Sequence, residues 1–248
     1  MPDSPRTCPR TRPRSVSWLT GASLTLLAAA CSSGGGEAPP APVEDDGSPF
    51  PKLEQGLNLR PVTRIDQAAF TLEGINGGVF DLSGVELRGQ DAGARIDTAL
   101  GYGILVRGCN GITIRGGVIG GYKGCIVIED SSDVIIDGVR FDGWYGQRLK
   151  STEFAEDSTD WLAPHENDRG EWLANYGAAI SATNCRGLEV RSCRGRRGQN
   201  GILLTRSDAC QVYDNDFSFL SGWGLGMYHS SECVVSHNVF DYCVRGYS

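Results

Sequence analysis

The chain has 248 residues, of which 40% are hydrophobic and 21% charged, an ordinary globular balance with enough apolar material for one sizeable core. Its formal charge is −7, and setting residues 1–30 aside leaves 19 basic against 29 acidic side chains. That surplus excludes nucleic acid as a partner, because binding it takes clustered Lys and Arg against many phosphates.

Residues 1–30 read as a secretory signal. Arg6, Arg10, Arg12 and Arg14 make a basic start, residues 16–30 are apolar but too short for a comfortable membrane span, and Ala28-Ala29-Ala30 meets Cys31. The three alanines fit a small-residue cleavage site and also a loose bacterial lipoprotein box, whose usual Leu is replaced by Ala28. Both readings cut before Cys31. Residues 31–50, rich in Ser, Gly and Pro, resemble the tether that lipoproteins place between lipid and domain, which favours a lipid on Cys31. No second apolar run of spanning length follows, so Cys31 is the expected membrane attachment.

Residues 51–78 are expected to form an N-terminal cap or an irregular first coil. They contain Arg64-Ile-Asp-Gln-Ala-Ala-Phe-Thr-Leu, which suits either a short capping helix or a strand. Phe80 and Leu82 with Val85 and Leu87 have the look of an early, compressed coil. From there to residue 248 the sequence repeats. The apolar pair Ile104 and Val106 recurs as Ile126 and Ile128, Ile180 and Ala182, Ile202 and Leu204, and Leu225 and Met227, at steps of 22, 54, 22 and 23 residues. Ile112 and Ile114 recur with the same steps as Val134 and Ile136, Leu188 and Val190, Cys210 and Val212, and Cys233 and Val235. A third column is Ile119, Phe141, Gly195, Phe217 and Phe240. Thirty-four glycines beside two methionines agree with short strands and tight turns.

A coil with three strands cannot bury its apolar side alone, but stacked coils pair each strand in parallel with the next and align like residues inside. The period-two pairs argue against a leucine-rich repeat, which needs a helix-like return. The expected fold is all-β, a parallel β-helix. Asn215 and Asn238 fall in a gap short enough for one bend, where Asn tolerates left-handed backbone and bonds its own turn. On these residues the chain resembles the right-handed β-helices of the pectate-lyase-like superfamily, with their asparagine ladder. Its Gly-Ile-Leu-Val and Asn-Gly-Ile-Thr-Ile-Arg-Gly-Gly-Val-Ile phrases resemble the repeats of NosD-type periplasmic copper-accessory proteins. Such repeats carry fold more than function. The chain ends where another first strand is due, so the C-terminal end is expected to be incomplete.

The step of 54 hides an insertion of 32 residues within 142–176. The resemblance implies that loops leaving here flank the first-strand sheet and build a polysaccharide cleft. The insertion holds Trp144, Tyr145, Trp161, Trp172 and Tyr176 with Asp157, Asp160, His165, Glu166, Asp168 and Glu171, and aromatic rings beside carboxylates suit sugars, with Ca²⁺ the ion such carboxylates would take. The competing reading is a solvated acidic loop pinned by its tryptophans. Beneath it, Arg107, Glu129, Thr183, Thr205 and Tyr228, then Asp130, Asn184, Arg206 and His229, should form two polar columns. The expected site sets His165, Glu166 and Asp168 against Glu129, Asp130, Arg206 and His229, with Trp161, Trp172 and Tyr228 as sugar platforms.

Motifs narrow the chemistry mainly by their absence. The Asn-Thr-Asp, Asp-Asp, Gly-His-Gly and Arg-Ile-Lys set of polygalacturonase-type hydrolases does not occur. Pro164-His165-Glu166 is similar to an alginate-epimerase phrase, although Ala163 stands where that phrase has Asp. The remaining cysteines form no Cys-x-x-Cys or Cys/His cluster, so no metal centre is expected. Cys210 and Cys233 share an inward column in neighbouring coils. Two functions remain: a lyase, epimerase or hydrolase of polysaccharide, or a non-catalytic surface module binding glycan or a partner. A NosD-like copper role ranks below both.

Overall fold

The computed structural model describes residues 47–147, 155 and 176–243. Cys31, Trp161, His165, Glu166, Asp168 and Trp172 lie outside them.

The described residues form three all-parallel sheets. The first sheet holds β2 (Ala68–Glu73), β5 (Leu100–Arg107), β8 (Tyr122–Glu129), β11 (Ala178–Thr183), β14 (Asn200–Thr205) and β16 (Leu225–Tyr228). The second holds β3 (Asn76–Asp81), β6 (Asn110–Arg115), β9 (Ile135–Asp137), β12 (Glu189–Arg191), β15 (Gln211–Tyr213) and β17 (Val234–Ser236). The third holds β1 (Gly56–Leu59), β4 (Val85–Arg88), β7 (Val118–Gly120), β10 (Arg140–Asp142) and β13 (Arg194–Arg196). In each sheet every strand pairs with its equivalent one coil away. This is a right-handed parallel β-helix.

The register follows the repeat. Ile104 pairs with Ile126, Ile126 with Ile180, Ile180 with Ile202, and Ile202 with Leu225. The four isoleucines are fully buried and Leu225 partly so. Each contributes about 1.5–3 kcal/mol by leaving water. The same stack begins one coil earlier, because Phe70 pairs with Ile104 and Leu72 with Val106. Of the two readings for residues 64–72, the strand is therefore the one that forms. Phe80 pairs with Ile114 and Leu87 with Ile119, so β3 and β4 complete the coil that β2 starts.

Polar ladders hold the corners. The Asn238 side-chain oxygen accepts from the Asn215 backbone N–H at 3.0 Å, and that of Asn215 accepts from Cys193 N–H at 2.9 Å. Their amide groups donate to the Val212 and Val190 carbonyls at 2.8 and 2.9 Å. A second ladder, at the corner after the first strand, uses serine: Ser131, Ser207 and Ser230 accept from the backbone N–H of Cys109, Cys185 and Ser207 at 3.1, 3.2 and 3.0 Å. Left-handed backbone recurs at the same corners, on Gly108, Asp130, Asn184, Arg206 and His229 for example.

Trp144 is drawn into the core. Its indole N–H donates to the Asn200 carbonyl at 2.9 Å. The room comes from missing side chains: a Cβ on Gly198 would lie 2.0 Å from the Trp144 ring and one on Gly195 would lie 3.0 Å from it. Trp144 is thus withdrawn from the set of aromatics offered to a sugar.

Candidate functional site

The insertion leaves after β10 and returns before β11, so it begins and ends beside the first-strand sheet. The outer face of that sheet carries the two expected polar columns. Arg107, Glu129, Thr183, Thr205 and Tyr228 are Cα partners in sequence along β5, β8, β11, β14 and β16. Arg107 donates from Nε and Nη2 to one Glu129 carboxylate oxygen at 2.9 and 2.8 Å. In the next column the Asn184 amide donates to Asp130 at 3.0 Å and Arg206 Nε donates to Asn184 at 2.8 Å. His229 continues this column and is exposed. Tyr228 is half-buried, with its ring edge-on to Trp223 at 6.3 Å, and burial raises its phenol pKa.

These contacts limit what the columns can do. Glu129 and Asp130 already accept hydrogen bonds from Arg107 and Asn184, so each has a partner within the columns themselves. The ion pair is about half exposed and contributes at most about 1 kcal/mol to stability. Between the columns and the sheet's entry edge lies a small cleft of about 120 Å³, lined by Tyr102, Lys123, Glu129, Tyr176, Ser181 and Thr183 among others. Gly124, Gly177 and Ala178 keep its floor low, and Val127 and Leu203, although on the outer face, are nearly inaccessible to solvent.

Lys123 is the unusual member. It is 4% exposed, and its ammonium lies 3.9 Å from the centre of the Tyr145 ring, the geometry of a cation–π contact. Burial pulls its pKa down to about 8, so at neutral pH the charge is held at a cost. Tyr102 is raised by its own burial and then by Glu129 and Asp66. Tyr176 stacks on Trp223, the centroids 5.8 Å apart and the planes 3° from parallel. None of Lys123, Tyr102 or Ser181 stood out in the sequence. Strict alternation back from Ile126 sends Cys125 outward, whereas its thiol is buried against the Ile119 carbonyl. Cys125 and Ile126 are consecutive and both buried in the core, so strict alternation fails between them and does not place the residues before them. The signal that remained legible was a lone Lys at the start of an apolar strand.

Set beside known families, residues 88–248 match the model of NosD, described as a periplasmic copper-binding protein. The chain belongs to the NosD family. No curated protein and no solved structure matches it. The NosD family is periplasmic by description, in keeping with the export expected from residues 1–30. Among the described residues no helix is long and apolar enough to cross a membrane.

Copper is the metal this NosD membership raises, and the donors decide whether the chain suits it. Among the described residues no three of His, Cys, Asp and Glu converge on one point. The first-strand face offers carboxylate and hydroxyl oxygens, which suit hard cations better than copper. The soft donors are the seven free thiols Cys109, Cys125, Cys185, Cys193, Cys210, Cys233 and Cys243. Cys125 and Cys193 are kept protonated by burial, Cys193 with its pKa pushed up to about 12. Of the seven, Cys210 and Cys233 form a pair in adjoining coils, and the outer-face cleft contains none of them.

Proposed function

We propose that this NosD-family chain is an exported, non-catalytic β-helix module that binds a saccharide on the outer face of its first-strand sheet. The observation that carries the reading is the cleft around Lys123. Two phenol rings, Tyr102 and Tyr176, can cover the apolar face of a pyranose. Ser181 and Thr183 can exchange hydrogen bonds with ring hydroxyls, and the Lys123 ammonium can donate to an acceptor oxygen. A volume of about 120 Å³ suits one sugar residue or a chain end rather than a long polymer segment. Binding is favoured over turnover because the carboxylates at this face are already engaged by Arg107 and Asn184. Cleavage before Cys31 and a lipid on that residue would hold the module at the envelope, with residues 32–50 as its tether.

The experiment is calorimetric titration of the full-length protein with a panel of uronate-containing and neutral oligosaccharides. It is repeated on Ser181→Phe, which fills the cleft from an outward position. Binding that disappears in this variant while the melting temperature holds supports the reading. Equal binding by parent and variant removes it. A second reading, copper handling, is favoured by the family's description, and its demand for soft donors leads away from this face.

A further inference from the structure

The whole sequence holds three lysines, Lys52, Lys123 and Lys150. Lys52 is exposed, and Lys150 lies outside the described residues. Lys123 is the second residue of β8 and keeps only 4% of its surface in contact with solvent, yet it lines the cleft beside Tyr102, Gly124, Gly177 and Ser181. Taking an amine out of water removes the solvation of its ammonium form, so burial moves the balance toward the neutral base. A carboxylate facing the nitrogen would oppose that shift. Among the described residues the carboxylate lining the cleft is Glu129, which already accepts from Arg107. The Tyr145 ring face, 3.9 Å from the nitrogen, stabilises the ammonium less than an ion pair would.

The chemical result is a nucleophile in a small chamber. With its pKa near 8, about a tenth of Lys123 is free amine at pH 7, roughly 300 times the share of a lysine at 10.5. A desolvated lysine of this kind attacks carbonyl carbon. The chamber decides which carbonyl compound. Its volume of about 120 Å³ takes a short-chain molecule, and Ser181 and Thr183 offer hydroxyls to a ligand hydroxyl. Tyr102, kept protonated by its burial and then by Glu129 and Asp66, can supply a proton to a departing oxygen.

We propose that Lys123 captures a small hydroxyaldehyde in this cleft as an imine. The nitrogen lone pair forms a bond to the carbonyl carbon while the carbon–oxygen π bond opens onto oxygen. A proton passes from nitrogen to that oxygen and gives the carbinolamine. A second proton on the hydroxyl lets it leave as water as the carbon–nitrogen double bond forms. One amine and one aldehyde thus give one imine and one water, with nothing oxidised or reduced. The capture uses the cleft assigned above to a saccharide but holds its ligand by a bond, so the two readings fall separately.

The test exposes the full chain to glycolaldehyde at pH 7 and traps the imine with sodium borohydride. Reduction leaves a secondary amine, heavier than the lysine by the mass of the aldehyde less one oxygen. Peptide mapping by mass spectrometry compares the lysines within one sample. Lys123 should be labelled at least about tenfold ahead of Lys52, poorer access taking back part of its larger share of free amine. Ser181→Phe should protect Lys123 and leave the labelling of Lys52 unchanged. Labelling of Lys123 no faster than that of Lys52, or equal labelling of Lys123 in the parent and Ser181→Phe, overturns the proposal. The comparison of lysines needs no variant and so stands even if Ser181→Phe fails to fold. Saccharide binding that persists in calorimetry while Lys123 stays unlabelled overturns this proposal alone. Labelling of Lys123 without saccharide binding removes the saccharide reading alone.

Discussion

Replacing Lys123 with methionine removes a buried charge while keeping an unbranched side chain of similar length. Lowering the lysine pKa from 10.5 to about 8 is worth roughly 3 kcal/mol against the charged form at about 1.4 kcal/mol per unit. The contact with the Tyr145 ring returns about 1–2 kcal/mol of that. At pH 7 the methionine variant should therefore be more stable than the parent by about 1–2 kcal/mol, or some 2–6 °C in melting temperature for a domain of this size. The sign of the pH dependence follows from linkage. The folded pKa lies below the unfolded one, so between about pH 8 and 10.5 the unfolded parent binds more protons and the parent gains stability as pH rises. The advantage of Lys123→Met should be full below pH 8 and shrink to nothing, or reverse, by pH 10.5. Urea unfolding of both proteins from pH 6.5 to 10.5 measures it, and a difference that does not change with pH would refute the burial of this charge.

Other consequences are simpler to state. Asn215→Ala deprives the Cys193 N–H and the Val190 carbonyl of their buried partners and should cost about 2–4 kcal/mol by chemical denaturation. Gly138→Ala introduces no clash but forces alanine to φ +64°, so its cost of about 1 kcal/mol reports backbone strain alone. Ile202→Asp buries an unpaired charge in the Ile stack and should abolish folding, seen as loss of the strand signature in far-ultraviolet circular dichroism. Mass spectrometry of the exported protein should find an N-terminus at Cys31 carrying acyl chains; an uncleaved Met1 form contradicts export.

The coil register was legible because stacked β-helix coils impose one physical condition, like residue over like residue, and Ile104, Ile126, Ile180 and Ile202 meet it with almost no substitution. The asparagine ladder could be read for the same reason. The serine ladder could not, because Ser131, Ser207 and Ser230 alternate with Cys109 and Cys185, and two residue types in one column hide the periodicity. The first coil was blurred by Gly77 and Gly78, which interrupt the apolar pairing ahead of Phe80. The outer-face columns follow from alternation after Ile126, but the burial of both Cys125 and Ile126 broke the parity on which Lys123 and Tyr102 depended. Trp144 was misassigned because the space that receives it is made by Gly195 and Gly198, more than fifty residues on.

The position of a bound saccharide tests the central claim most directly. A crystal structure of the protein with the tightest oligosaccharide from the calorimetric panel should show one sugar ring against Tyr102 and Tyr176, an oxygen within hydrogen-bonding distance of Lys123, and the ligand unaltered. A ligand seated elsewhere on the β-helix, or found as a cleaved or unsaturated product, would contradict it.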